Sequence, residues 1–119
     1  MSSTIVKFSD LSPTPTVDHP RPDRRITGDP ERRTRNFYAS PDEKISSGEW
    51  ECEVGAWRIE YPPNLTEFFH LLSGEIVLTS AEGTVTTLKP GDNCVIPPGF
   101  RGTFDVRAPA RKIYVMVES

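Results

Sequence analysis

Glu67 is the residue of this chain whose position points most directly to chemistry. It begins a nearly continuous apolar run, residues 67–72, which is typical of a strand covered on both faces. A carboxylate in such a strand must be protonated, paired or hydrogen-bonded, because leaving it charged and alone costs several kcal/mol. Burial also raises a carboxyl pKa toward neutrality, where the group serves as a general base. A carboxylate at this position is therefore a candidate catalytic or ligand-binding residue if its side of the strand faces the interior.

Three residues are candidate partners for this carboxylate. Tyr61 lies on the preceding predicted strand and supplies a phenol that can donate a hydrogen bond or act as a general acid. Lys112 and Tyr114 share one face of the last predicted strand, while Ile113 lies on the other. Counting apolar residues favours the Ile113 face as the inward one. Tyr61 is therefore the expected partner, and a pairing with Lys112 is left open.

The histidines and cysteines are not spaced as metal ligands. His70 lies three residues from Glu67, which gives it the opposite strand parity, and His19 lies in a proline-rich segment. Cys52 and Cys94 sit in strand-like segments and are expected to be reduced, packed thiols. We expect no metal and no other cofactor.

Length and composition favour one all-β domain. The 119 residues suffice for one core, and twelve prolines with eight glycines interrupt the chain too often for long helices. The net charge of -3 argues against nucleic-acid binding. The arginines in residues 21–35 argue against it too, because acidic residues are interspersed among them and no aromatic residues are interleaved. No apolar run approaches membrane-spanning length and the N-terminus lacks a signal pattern, so we expect a cytoplasmic protein without membrane contact.

Residues 1–33 are predicted to form an irregular proline-rich arm, with one short strand allowed at residues 5–8, and residues 34–119 the β-domain. Turn chemistry predicts a hairpin at Ser73-Gly74, type II turns at Pro90-Gly91 and Pro98-Gly99, and a loop at residues 108–110. Predicted strands occupy residues 50–54, 57–61, 67–72, 75–79, 84–88, 93–96, 103–106 and 112–117. This spacing favours a double-stranded jelly-roll β-barrel.

Two blocks of the chain resemble the two sequence motifs of the cupin superfamily, which implies the cupin (RmlC-like) jelly roll. The matching residues are Gly55, Glu67 and Gly74 in the first block and Gly91, Pro97 and Gly99 in the second. In the superfamily, three histidines and the glutamate hold a transition metal. The three histidine positions correspond here to Tyr61, Pro63 and Gly102. Because only Glu67 remains of the implied ligands, a tightly bound metal is not expected.

A longer set of residues, between Trp50 and Val117, is similar to the small cupins grouped with the (S)-ureidoglycine aminohydrolase cupin domain. The set includes Trp50, Cys52, Trp57, residues 67–74 and 91–102, and Arg111, Lys112, Tyr114 and Val115. The named enzyme of that group is a two-cupin, manganese-dependent hydrolase of ureide breakdown. Ethanolamine-utilisation cupins are similar in outline and serve other chemistries. The resemblance therefore implies a fold and leaves open whether the chain is an enzyme.

Three functions are compatible with these residues. The first is a metal-independent cupin that binds a small polar molecule in the barrel. The second is a metal-dependent hydrolase or lyase related to ureidoglycine aminohydrolase, and the third is an isomerase with Glu67 as base and Tyr61 as acid. The candidate ligand-binding residues are Trp57, Tyr61, Glu67, Phe69, Phe104 and Lys112. Alternatively, the aromatic side chains only fill the core.

A homodimer is expected, because a small jelly roll has open sheet edges and an apolar outer face that includes Phe68 and Leu72. The arm, with Ile5, Val6 and Phe8 at strand-like spacing, is a candidate to reach the partner.

Overall fold

A computed structural model describes residues 3–119, which form antiparallel β-strands and two single-turn 3-10 helices. The helices are Phe8–Asp10 and Pro22–Arg24. The strands are β1 (Thr16–Asp18), β2 (Arg25–Thr27), β3 (Arg32–Ala39), β4 (Ile45–Cys52), β5 (Gly55–Glu60), β6 (Leu65–Ser80), β7 (Val85–Leu88), β8 (Asn93–Ile96) and β9 (Arg101–Glu118). None of the helices in this part of the chain has the length and hydropathy of a membrane-spanning segment.

The two long strands, β6 and β9, hold the barrel together. Along one edge, β9 pairs first with β5 and then with β4, and along its other edge it pairs with β6. The free edge of β6 pairs with β8 and β7, while β3 extends the sheet beyond β4. Register shifts in β6 bend the sheet so that it curls on itself. The all-β jelly roll expected from the sequence is confirmed.

The predicted hairpin at Ser73-Gly74 is wrong, because β6 runs through these residues without reversing. Gly74 has a φ of +91° and lies so close to β9 that a side chain there would overlap the carbonyl oxygen of Pro109. The glycine therefore permits a bulge rather than a turn. The predicted loop at residues 108–110 is also wrong, since it lies inside β9.

Two predicted type II turns are confirmed. Gly91 and Gly99 have φ values of +93° and +72°. The amide of Asp92 donates to the carbonyl of Lys89 at 2.9 Å, which closes the first turn. These turns bracket β8, the short strand that covers the edge of β6.

The proline-rich arm is not irregular throughout. Its strands β1 and β2 pair with β3 and β5, and β3 itself begins at Arg32. The strand allowed at residues 5–8 is absent; Phe8 instead begins a 3-10 helix and stacks on Phe37 at 4.4 Å between ring centroids. Strand pairing supplied by the distant barrel orders segments that lack a local apolar period. The division of the chain at residue 33 stays a prediction.

Candidate functional site

A cavity of about 310 Å³ lies inside the barrel. It is bounded by the inward faces of β3, β4, β5, β6 and β9, with β1 at its mouth. The lining residues are Asp18, Arg32, Thr34, Ser46, Trp50, Trp57, Ile59, Tyr61, Glu67, Phe104, Lys112, Tyr114 and Met116. Its volume is that of a site for a small molecule.

Glu67 lies in the wall of this cavity and contacts two other polar side chains. Its side chain is fully buried, and that of Lys112 is 5% exposed. Lys112 Nζ lies 2.8 Å from Glu67 Oε2, while the hydroxyl of Tyr61 donates a hydrogen bond to Oε1. The pairing with Tyr61 is present as the sequence predicted. Apolar counting was wrong about β9, because Lys112 and Tyr114 point inward and Ile113 remains half-buried.

The two oxygens of Glu67 are not equally satisfied. Oε1 accepts the Tyr61 hydrogen bond, whereas Oε2 accepts none from any residue within 3–119. The 2.8 Å contact with Lys112 is an ion pair by distance, but its angle is not that of a hydrogen bond. A buried carboxylate oxygen therefore retains capacity to accept a hydrogen bond.

Aromatic rings surround the Lys112 ammonium group where water would otherwise solvate it. Nζ lies 4.5 Å from the ring centroid of Trp50, 4.3 Å from that of Phe69 and 5.1 Å from that of Phe104. Cation–π attraction at these distances offsets part of the cost of burying the charge. Trp57 stacks on Phe104 at 5.0 Å and continues the aromatic wall toward the mouth.

The phenols of this site are held in their protonated form. Burial, the charge of Glu67 and the hydrogen bond to Glu67 all raise the pKa of Tyr61 far above its ordinary value. Burial and the Glu67 charge raise the pKa of Tyr114 to about 12. The hydroxyl of Tyr114 donates to Asn36 Oδ1 at 2.8 Å. Both tyrosines therefore act as hydrogen-bond donors at neutral pH.

The mouth of the cavity carries a second ion pair that sequence reasoning missed. Arg32 binds Asp18 through two contacts, Nε to Oδ1 at 2.9 Å and Nη2 to Oδ2 at 2.7 Å. The guanidinium lies 5.2 Å from the ring centroid of Trp57. Asp18 and Arg32 face each other because β1 pairs with β3. No local pattern indicates that pairing, and both residues fall in the segment that the sequence predicts as an irregular arm.

Five of the six residues expected to bind a ligand line the cavity, namely Trp57, Tyr61, Glu67, Phe104 and Lys112. Phe69 is fully buried and contacts Lys112 without lining the cavity. Trp50 was not among the expected residues, although it belongs to the same motif set. His70 lies on the outer face of β6 with its Nδ1 2.8 Å from Asn93 Oδ1, and it does not line the cavity.

Neither thiol belongs to a cluster of metal-ligating residues within the described part of the chain. Cys52 is buried in the core, and burial raises its pKa to about 12. Burial also raises the pKa of Cys94, which packs against the core. Both cysteines are free, and such thiols are poor nucleophiles at neutral pH.

The side chains around Glu67 do not fit the transition-metal site of the superfamily. The Lys112 ammonium already lies against the glutamate, and a metal ion there would meet its positive charge. A side chain at Gly102 would overlap the carbonyl oxygen of Thr79, so that position admits no ligand. Residues 3–119 contain no group of three or more histidine, cysteine, aspartate or glutamate residues placed to hold a metal ion.

A larger groove of about 440 Å³ lies outside the barrel, beside Arg24, Arg58 and Arg101. None of its lining residues is buried. It therefore lacks the fixed, desolvated polar group that the cavity at Glu67 possesses, and the barrel cavity is the better candidate site.

Comparison with known proteins agrees with this fold. Residues 39–114 match the model of the EutQ-like cupin domain. No curated protein matches the chain in sequence at a significant level.

Among solved structures, the chain resembles a DUF861-family protein of unknown function from Pseudomonas syringae pv. tomato. The TM-score is 0.78 and the sequence identity is 23%, and the match covers 90% of this chain and 45% of that one. It spans less than half of that protein. The Clostridium difficile EutQ protein gives a TM-score of 0.64 and 23% identity over 81% and 76% of the two chains. A DUF861-family protein of Thermotoga maritima gives a TM-score of 0.51 and 30% identity, with coverage of 56% of this chain and 73% of that one. The chain belongs to the EutQ-like cupin domain family.

Proposed function

We propose that this cupin binds a small polar molecule in the barrel cavity without a tightly bound metal ion. The main support for this proposal comes from Oε2 of Glu67. This buried oxygen lies in the cavity wall and accepts no hydrogen bond from the described residues. The ion pair with Lys112 leaves this oxygen able to accept a hydrogen bond. A bound molecule that donates to Oε2 would form a hydrogen bond to a charged group, worth about 1.5–3 kcal/mol.

The rest of the cavity supports binding. Trp50, Trp57 and Phe104 form one aromatic wall, with centroid separations of 5.0 to 6.4 Å. Fixed aromatic surfaces with a few oriented polar groups are the usual composition of small-molecule sites. The Lys112 ion pair and the Tyr61 hydrogen bond hold the Glu67 carboxylate in place before a ligand arrives. A preorganised group of this kind loses little entropy on binding.

The alternative functions have weaker support. As an isomerase, the site would use Glu67 as base and Tyr61 as acid, but the raised pKa of Tyr61 makes its phenol a weak acid. Membership of the ureidoglycine aminohydrolase group, with a metal-dependent hydrolase or lyase activity, rests on the motif resemblance alone. The ammonium of Lys112 beside Glu67 opposes that activity.

The test compares binding to the wild type with binding to two threonine variants. Thr34 lines the cavity and Thr87 lies exposed on β7, so Thr34→Phe fills the site while Thr87→Phe makes the same change on the surface. A chemically diverse fragment library is screened by NMR, with the indole signals of Trp50 and Trp57 as reporters. We expect fragments to shift these signals in the wild type and in Thr87→Phe, but not in Thr34→Phe. A library that leaves both indoles unchanged in the wild type would refute the binding function.

A further inference from the structure

The charged groups that line the cavity form two neutral pairs. At its base, Glu67 and Lys112 lie 2.8 Å apart and are almost fully buried. At its mouth, Asp18 and Arg32 make a two-point contact. Among residues 3–119, the lining contributes no other carboxylate, ammonium or guanidinium group. The cavity therefore has no net charge to neutralise a charged ligand.

A charged ligand would meet a like charge at the base of the cavity. An anion placed against Lys112 also lies next to Glu67, and a cation placed against Glu67 also lies next to Lys112. The attraction to one group is then largely cancelled by repulsion from the other. The desolvation cost of the ligand charge remains uncompensated.

Hydrogen-bond chemistry leads to the same conclusion independently. Oε2 of Glu67 lacks a donor, and the adjacent Nζ of Lys112 carries only donors. Because these atoms are 2.8 Å apart, one ligand group is able to contact both. A hydroxyl or a carboxamide donates and accepts, whereas a carboxylate cannot donate and an amidinium cannot accept.

We propose that the ligand of this cavity is an uncharged molecule whose hydroxyl or carboxamide group donates to Oε2 of Glu67 and accepts from Nζ of Lys112. This inference rests on the proposed binding function and adds the chemical class of the ligand. The apolar body of the molecule packs on Trp50, Trp57 and Phe104. The recognising group is thereby directed to the base of the cavity.

The test uses four probes built on one ring. Benzamide and benzyl alcohol are the uncharged probes, benzoate is the anion and benzamidine the cation. Binding to the full chain at neutral pH is measured by titration, with the indole NMR signals of Trp50 and Trp57 locating the site. We expect at least one uncharged probe to bind about ten-fold or more tightly than either charged probe.

Glu67→Gln provides a second measurement. The glutamine keeps the shape of the side chain but leaves the Lys112 charge without its partner. If this variant folds, benzoate should gain at least about ten-fold in affinity relative to benzamide. The comparison of probes on the wild type stands if the variant does not fold.

The outcomes separate this inference from the binding function. Benzoate or benzamidine binding the wild type as tightly as both uncharged probes would overturn the inference. If none of the four probes binds, the fragments from the NMR screen that shift the indole signals are used instead. Uncharged fragments at this site would support the inference. Charged fragments there would contradict the inference while the binding function stands. A protein that binds no fragment at these tryptophans refutes both.

Discussion

The inner and outer faces of β6 show that hydrophobicity alone does not decide which side chains are buried. On the inner face, Glu67 and Phe69 are both 0% exposed. On the outer face of the same strand, Phe68 is 41% and Leu72 is 38% exposed. A carboxylate is therefore buried while two large apolar side chains of the same strand remain accessible. The inner face accepts the charge because it supplies partners for it.

The same contrast occurs in β9. Lys112 and Tyr114 are buried, whereas Ile113 and Val115 between and beside them are only half-buried. Lys112 is compensated by Glu67 and three aromatic rings, and Tyr114 by Asn36. Polar side chains that satisfy one another thus occupy the interior at the site. The following predictions test this contrast between faces.

The largest loss of stability is expected from Lys112→Met, because this substitution leaves the Glu67 charge buried without its cation. Breaking a buried ion pair in this way should lower the free energy of unfolding by about 3–5 kcal/mol in urea denaturation. The control Lys89→Met removes an exposed lysine that pairs with Glu75 at 3.4 Å, and should cost about 0–1 kcal/mol. Adding Glu67→Gln to Lys112→Met should recover part of the loss. Equal costs for the two lysine variants would show that the inner pair has no special role.

The bulge that maintains the two faces of β6 is tested by Gly74→Ala. Gly74 and Gly83 share a φ of +91°, but only Gly74 lies against another strand, and Gly83 has open space around it. Backbone strain is therefore similar in both alanine variants. The difference between their free energies of unfolding reports the close approach of Gly74 to β9. We expect Gly74→Ala to cost about 1–3 kcal/mol more than Gly83→Ala in thermal or urea unfolding. A smaller cost at Gly74 would contradict the tight bulge.

A smaller effect on stability is expected when the inward phenol of Tyr114 is removed, and it should appear at alkaline pH. Its pKa is raised from 10.0 to about 12, so the folded protein keeps a proton that the unfolded chain releases. This contribution to stability is complete below pH 10 and is lost as pH rises toward 12. Tyr114→Phe should therefore reduce the slope of stability against pH in this window. A slope in Tyr114→Phe identical to that of the wild type would count against a buried Tyr114.

The smallest effect on the fold is expected at Phe68 on the outer face. We propose that two copies associate through the surface that contains Phe68 and Leu72, because exposed apolar side chains on a sheet favour self-association. Phe68→Asp should convert the dimer to a monomer in light scattering and change monomer stability by no more than about 0.5 kcal/mol. The control Val85→Asp, on β7, should remain dimeric. A wild type that is monomeric at micromolar concentration excludes the dimer.

Local signals in the sequence predicted most of the strands, the two type II turns, and the central position of Glu67 with Tyr61. These features depend on local signals: alternation along a strand, a glycine at positive φ after proline, and the spacing of the glycines around Glu67. The sequence also separated His70 from the inward residues, because strand parity is a property of neighbouring positions.

Three features depend on tertiary contacts. Lys112 points inward, Asp18 and Arg32 lie at the mouth of the cavity, and Gly74 makes a bulge. The direction of Lys112 depends on Glu67 and on rings from other strands, none of them near it in sequence. Asp18 meets Arg32 through the β1–β3 pairing, and Gly74 meets Pro109 across the β6–β9 pairing. Each outcome depends on contacts between distant parts of the chain, which set the burial, charge pairing and strand register that local sequence patterns leave undetermined.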